Sequence, residues 1–187
     1  MIVRWLILVT LSTWAIGCGG MDIEQFKDRQ PRFVPEEYFL GELTGQGMFI
    51  NRSGSLVREF TLDLEGTLGD DGNLRLAEVL RWKDGTVENR VYSFTKLSEG
   101  RYRAEAEGLV GAATIEAQGN ALHWRYTLEV RGAQRSWVLD FDDWMFLTDS
   151  GVMLNRAKAY KWGIFVGEVI ISMSRQSSAG GVVGKVP

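Results

Sequence analysis

The sequence predicts an all-β fold: an antiparallel up-and-down meander of about eight to ten strands, with a short helix ahead of it. Three observations predict it. Most of the chain after its first thirty-five residues alternates apolar and polar side chains with period two, the pattern of half-buried strands. Turn signals (Asp71-Gly72, Asp84-Gly85, Gly119-Asn120, Gly132-Ala133, Ser150-Gly151) punctuate that alternation so closely that crossover helices of a parallel sheet have no room. Separate turns also imply registers that agree on a single apolar face. Such a meander closes into a barrel or curls into a half-open one.

The elements follow in order. Residues 1–17 read MIVRWLILVTLSTWAIG, with Arg4 ahead of an apolar run from Trp5 to Ile16. The run is too short to span a membrane and has the build of a secretory signal. Its end, Ala15-Ile16-Gly17-Cys18, resembles a bacterial lipoprotein signal, although Ala15 stands where Leu is usual. The resemblance implies cleavage before Cys18, a diacylglycerol on its thiol and an acylated new N-terminus. Gly19 follows with no Asp in the next two positions. By resemblance to sorting in Gram-negative bacteria, that implies the outer membrane, with the protein facing the periplasm. An ordinary secretory signal that happens to contain a cysteine is the alternative.

Residues 18–35 read as a lipidated tether. Its helical candidate, Asp22 to Arg29, is capped by Asp22 and ended by Pro31 and Pro35. Residues 36–174 are the barrel domain. Its strand candidates are Glu42–Ile50, Leu56–Glu65, Leu74–Lys83, Thr86–Leu97, Tyr102–Glu107, Ala112–Gln118, Ala121–Arg131, Gln134–Thr148, Met153–Trp162 and Ile164–Ser174. Residues 175–187 (RQSSAGGVVGKVP) are a loose tail.

Composition narrows the function. A net charge of −3 gives no broad attraction for nucleic acid. One Cys and one His make neither an internal disulfide nor a zinc-type cluster. No Gly-rich phosphate loop, HExxH, GxSxG or CxxC occurs, so no cofactor and no catalytic residue is predicted. Outward charges such as Arg101, Arg103, Glu105 and Glu107 suit a solvated wall and argue against a transmembrane barrel.

Register predicts the inner face. A two-residue turn at Gly119-Asn120 sets Ile115 opposite Trp124, Ala117 opposite Leu122, and Glu116 opposite His123 on the polar side. A two-residue turn at Gly132-Ala133 sets Leu128 opposite Trp137, Tyr126 opposite Leu139, and Trp124 opposite Phe141. Large residues thus face Ala104, Ala106, Ala113 and Ala117, leaving a thin interior that a cavity, a helix or a loop would occupy. Centring the next hairpin on Ser150-Gly151 pairs Met145 with Arg156, Asp143 with Lys158, Phe141 with Tyr160 and Leu139 with Trp162. Asp143, Arg156, Lys158 and Tyr160 then share the inner face. Arg156, Lys158 and Tyr160 are the candidate head-group site of an anionic amphiphile, with Asp143 beside them and Trp124 and Tyr126 as wall. A structural ion pair of Asp143 with Lys158 or Arg156 is the other reading.

His123 on the polar face is a weak general base with no nucleophile near it. Asp140 and Asp142 also face outward, and Asp140 is expected opposite Lys161. Asp70-Asp71-Gly72-Asn73 lacks the closing Glu of a calcium loop and reads as a turn.

Asp142-Asp143-Trp144-Met145, Asn155-Arg156, Lys161-Trp162-Gly163 and Val166-Gly167-Glu168 resemble the bacterial lipoprotein family of the domain of unknown function 3833. So do Phe39-Leu40-Gly41, Gly45 and Gly47-Met48-Phe49. The resemblance spans nearly all the mature chain. It implies a lipid setting but no activity and no catalytic residues. The architecture is similar to the lipocalin and calycin class, without the lipocalin Gly-x-Trp signature. The leading expectation is an outer-membrane lipoprotein, held by acyl chains on Cys18, that binds or carries a lipid or fatty-acid-like ligand. An envelope scaffold with a packed barrel is the alternative. A lipid-directed enzyme is the third.

Overall fold

In the computed structural model, which describes residues 20–131 and 135–175, ten antiparallel strands close into one barrel. They are β1 Gly41–Asn51, β2 Leu56–Leu68, β3 Leu74–Trp82, β4 Val87–Ser98, β5 Arg101–Ala106, β6 Ala113–Gln118, β7 Ala121–Arg131, β8 Ser136–Leu147, β9 Met153–Lys161 and β10 Ile164–Arg175. Each pairs with its sequence neighbours, and β10 returns to β1 to close the wall. The predicted meander is therefore the observed one, and it closes.

Alternation makes the wall two-sided. In β2, Phe60, Leu62 and Leu64 are buried while Thr61, Asp63 and Glu65 are exposed. The outer face carries cross-strand ion pairs such as Lys83–Glu59 at 2.7 Å and Arg101–Glu116 at 3.3 Å. Pairs this exposed contribute solubility more than stability.

Four hairpins share one device, a three-residue loop whose last residue is a left-handed glycine. Gly54, Gly72, Gly85 and Gly151 hold φ of 83°, 74°, 87° and 77°. The flanking residues bond across each loop: Asn51 N to Ser55 O, Gly69 N to Asn73 O, Trp82 N to Thr86 O, and Thr148 N to Val152 O. This is the type I turn with a glycine bulge. Gly119-Asn120 is the predicted two-residue turn, and its register is as expected, with Ile115 opposite Trp124.

Two predicted registers are corrected. Arg131 pairs with Ser136, so the connection is two residues longer than a Gly132-Ala133 turn. Residues 132–134 lie outside the described residues. An even shift changes partners and keeps faces: Leu128 lies opposite Leu139, Tyr126 opposite Phe141 and Trp124 opposite Asp143. The loop Asp149-Ser150-Gly151 has an odd length, so Leu147 pairs with Met153 and Asp143 with Ala157. That single residue turns the whole of β9 over.

One end of the barrel is sealed by the segment before β1. Asp22 accepts a bond from Glu24 N at 3.1 Å and caps a single 3-10 turn, Ile23–Phe26, in place of the predicted helix Asp22 to Arg29. Ile23 and Phe26 pack outside the wall on Ala121, Trp144 and Phe146. The chain then crosses beneath it. Phe33 N donates to Gly119 O at 2.7 Å. A short helix, α1 (Pro35–Tyr38), follows, with Pro35 opening it rather than ending an earlier one. Phe33, Tyr38 and Phe39 stack on one another and join the core. Tyr38 donates to Met173 O at 3.1 Å, and the Arg175 guanidinium donates to the carbonyls of Glu37, Tyr38 and Leu40. These rings, with Phe94, Tyr102 and Trp124, fill the space over Ala104, Ala113 and Ala117. The predicted thin interior is packed at this end.

The seal leaves no room at two glycines. A Cβ on Gly66 would lie 1.7 Å from Phe39 O, and one on Gly119 the same distance from Phe26 O. Gly66→Ala should therefore destabilise by roughly 2 kcal/mol or more through displaced backbone. Gly72→Ala, in open space, should lose only about 1–2 kcal/mol for its left-handed φ. Urea unfolding of both variants checks the order; equal losses would show that the seal is dispensable.

Candidate functional site

At the other end the wall is incomplete. β5 and β6 are six residues each, against twelve in β4 and eleven in β7. β4 pairs with β5 only from Tyr92 onward, so Val87–Val91 has β3 on one side and no strand on the other. The gap is a cavity of about 770 Å³ lined by Arg58, Glu88, Arg90, Glu107, Glu129 and Arg131, among others.

Its floor is built by alternation. Residues Leu74, Leu76, Glu78, Leu80 and Trp82 occupy the inward positions of β3, and Glu88, Arg90, Tyr92 and Phe94 those of β4. The Arg90 guanidinium lies 3.6 Å from Glu78 and 3.5 Å from Glu88, and donates to the Tyr92 hydroxyl at 2.9 Å. Burial lowers the affinity of Arg90 for its proton, but Tyr92 and the two carboxylates outweigh it and hold the pKa above its ordinary value. Arg58 stacks on Trp82 at 3.7 Å and pairs with Asp84 at 2.7 Å. Trp82 Nε1 donates to Glu88 at 2.7 Å.

A second polar cluster lies inside the wall. The Asp143 carboxyl is 4% exposed and accepts from Asn155 Nδ2 and from the Tyr126 hydroxyl at 3.4 Å. Burial raises its pKa to about 7; the two donors oppose this, and Asp142 and Glu78 add to it. Burial likewise raises Glu78, with Arg90 opposing. Burial and then Asp143 push the Tyr126 phenol well up. Trp124 Nε1, buried beside Tyr92 and Tyr126, has no hydrogen-bond partner among the described residues. The cavity lining offers guanidinium donors and carboxylate acceptors, while the Asp143 cluster is buried behind it. The cavity lining contains no Ser, Cys or His among the described residues.

Of the sequence-predicted site residues, Asp143, Trp124 and Tyr126 face inward. Arg156, Lys158 and Tyr160 do not, and their assignment to the inner face is corrected: the odd loop at Gly151 puts Asn155, Ala157 and Ala159 there instead. Arg156 pairs with Glu168 at 2.7 Å on the outer wall. Lys158 lies opposite Asp142, and Tyr160 opposite Asp140 and edge-on to Phe165. Asp140 thus does not face Lys161; it accepts from the Thr127 hydroxyl at 2.7 Å. His123 lies opposite Glu116 but is buried, bonded to Asp142 at 2.6 Å and stacked on Trp144 at 4.0 Å under the N-terminal segment. Asp71 accepts from Asn73 N and Nδ2 and closes a turn. No cluster of metal-ligating side chains occurs among the described residues. Cys18 and its acylation lie outside them.

Sequence reasoning missed Arg58, Glu78, Glu88, Arg90 and Asn155. The signal was present for two. Glu78 interrupts the apolar series Leu74, Leu76, Leu80, Trp82, and Arg90 stands on the same parity as Tyr92 and Phe94.

Fold and site together define a calycin-like barrel with a polar mouth. The chain belongs to the family described as protein of unknown function DUF3833, whose model matches residues 12–175. Two solved structures are similar. One is a protein of unknown function from the DUF3598 family of Nostoc punctiforme, with 18% identity, a TM-score of 0.57, and 78% of this chain covered. This chain spans 50% of that protein's length. The other is the S-type phycobiliprotein lyase CPES of Guillardia theta, with 11% identity, a TM-score of 0.58, and 85% of this chain and 95% of that one covered. At these identities the likeness is one of fold. A search of curated proteins finds no match.

Asp143 sets a pH dependence. Its folded pKa, about 7, lies above the ordinary carboxyl value of 3.8, so the folded state favours the protonated form. Stability is then greatest below the unfolded value and falls as pH rises through the folded one. Asp143→Asn should gain roughly 2–4 kcal/mol over wild type at pH 8 and almost nothing at pH 4. Denaturant midpoints at the two pH values check this; a pH-independent difference would remove the assignment.

Proposed function

We propose that the barrel binds an amphipathic, lipid-like ligand by its head group at the open end. We propose too that it does so as a lipoprotein anchored through Cys18 in the outer membrane, facing the periplasm. The observation that supports binding is the cavity where β4 lacks a partner, with the inward side chains Arg58, Glu88 and Arg90 turned toward it. A barrel serving only as a scaffold has no use for charges on its inner face, where unpaired they are costly.

The lining also argues for a head-group class. It carries three guanidinium groups (Arg58, Arg90, Arg131) and four carboxylates (Asp84, Glu88, Glu107, Glu129). That balance suits a head group bearing both charges better than the bare anion expected from Arg156 and Lys158. The packed base excludes a long alkyl chain from the interior. The chain of the ligand would lie outside the gap, along exposed Val87 and Val91.

Native mass spectrometry of the protein purified from the envelope tests the reading. A lipid-sized adduct should be retained by wild type and by Arg156→Met/Lys158→Met, and weakened about tenfold or more in Arg58→Met/Arg90→Met, where two charge-assisted contacts are lost. Circular dichroism establishes that the variants fold. A folded wild type without an adduct, or equal retention in Arg58→Met/Arg90→Met, overturns the site. For the anchor, Cys18→Ser should remove the acyl mass and release the chain from membranes. Unchanged mass and fractionation would exclude acylation.

A further inference from the structure

The hairpin between β9 and β10 turns on Trp162 and Gly163, with φ of 53° and 78°. Two left-handed residues define a type I′ turn, whose first position favours Asn, Asp or Gly. Trp162 is the one non-glycine residue with positive φ among those described. It is also 85% exposed, the most exposed of the large apolar side chains. A bulky residue in this conformation is strained, and a bare indole is unfavourable in water. Neither burial nor turn geometry accounts for tryptophan here.

Its surroundings point to a lipid surface. Ile164 beside it is 59% exposed. Lys161 Nζ sits 4.5 Å from the Trp162 ring and 3.5 Å from Trp137, and Arg135 covers Trp137 at 3.8 Å. Arg52 N donates to Val166 O at 3.0 Å, which brings the β1–β2 turn against the start of β10. Among the described residues Arg52, Arg135 and Lys161 make no ion pair. Two indoles, an aliphatic side chain and three uncompensated cations at one corner combine the chemistry of the membrane interface with attraction to anionic head groups.

We propose that this corner, Trp162 and Ile164 with Arg52, Arg135 and Lys161, is an interfacial anchor that seats on an anionic lipid membrane. It does not rest on the ligand reading or on acylation of Cys18.

Trp162→Asn is the discriminating variant, because Asn-Gly is the preferred type I′ pair and the melting temperature should rise. The full chain is mixed with vesicles of equal parts phosphatidylglycerol and phosphatidylcholine, with and without brominated acyl chains. The fluorescence difference between wild type and Trp162→Asn isolates the tip, however the rest of the chain reaches the vesicle. That difference signal should be quenched by brominated lipid, and less so as salt rises or on pure phosphatidylcholine. Vesicle affinity should fall roughly tenfold in Trp162→Asn and about fivefold in Lys161→Glu. An unquenched difference signal, or equal quenching on neutral vesicles, overturns the proposal. A concentration-dependent dimer without lipid, lost in Trp162→Asn, would also overturn it and assign the corner to a second copy.

Discussion

Which side of the wall a residue faces is decided by the parity of the loop before it. Because side chains alternate strictly along a strand, a loop of odd or even length assigns every later residue to core or solvent. Four hairpins use the same three-residue loop with a left-handed glycine at its end, and one uses a left-handed pair, Trp162-Gly163. The apolar residues of β2, β3 and β4 meet inside because these loops agree. Asn155 reaches Asp143, and Arg156 reaches Glu168, for the same reason.

The interior divides along the barrel axis. At the sealed end, aromatic rings from α1 and its flanks complete a dry core with the strands. Toward the open end, inward positions carry Glu78, Glu88, Arg90, Asp143 and Asn155. Most of the charged positions there are satisfied by one another, which lowers the penalty of holding them out of water. Trp124 stands at the boundary, its ring against Phe94 and Tyr92 and its N–H without a partner. Shortening β5 and β6 is what opens the cavity lined by Glu88 and Arg90. Full-length strands would give β4 a partner along Val87–Val91 and close the gap.

Much of this was legible in the sequence. Period-two alternation and Gly-containing turns delimit all ten strands, and Gly119-Asn120 sets the β6–β7 register. The site was less legible, because whether Ser150-Gly151 forms a two- or three-residue turn depends on backbone conformation that the dipeptide does not display. Asp149 completes the loop, and that one residue moves Arg156, Lys158 and Tyr160 outside. The shortness of the β4–β5 ladder was legible, because the strand expected at Tyr102–Glu107 is half as long as that at Thr86–Leu97. Val87–Val91 alternates like any paired strand, and only the early end of β5 leaves it bare. The plug was hidden for another reason: Phe33, Tyr38 and Phe39 have no strong helical period, and their place is fixed by tertiary contact with the barrel base.

The seam between β1 and β10 has a consequence in time. It joins Leu43 to Arg175 and Asn51 to Gly167, the two extremes of the barrel's own sequence. Every other pairing is between consecutive strands and can form as the chain emerges. This one waits for the last strand, and until then β1 and β10 both present bare edges capable of pairing with a foreign chain. Tyr38 and Arg175 fasten that same junction from below. The barrel's vulnerability to misassembly is therefore concentrated in a single late event, the meeting of its first and last strands.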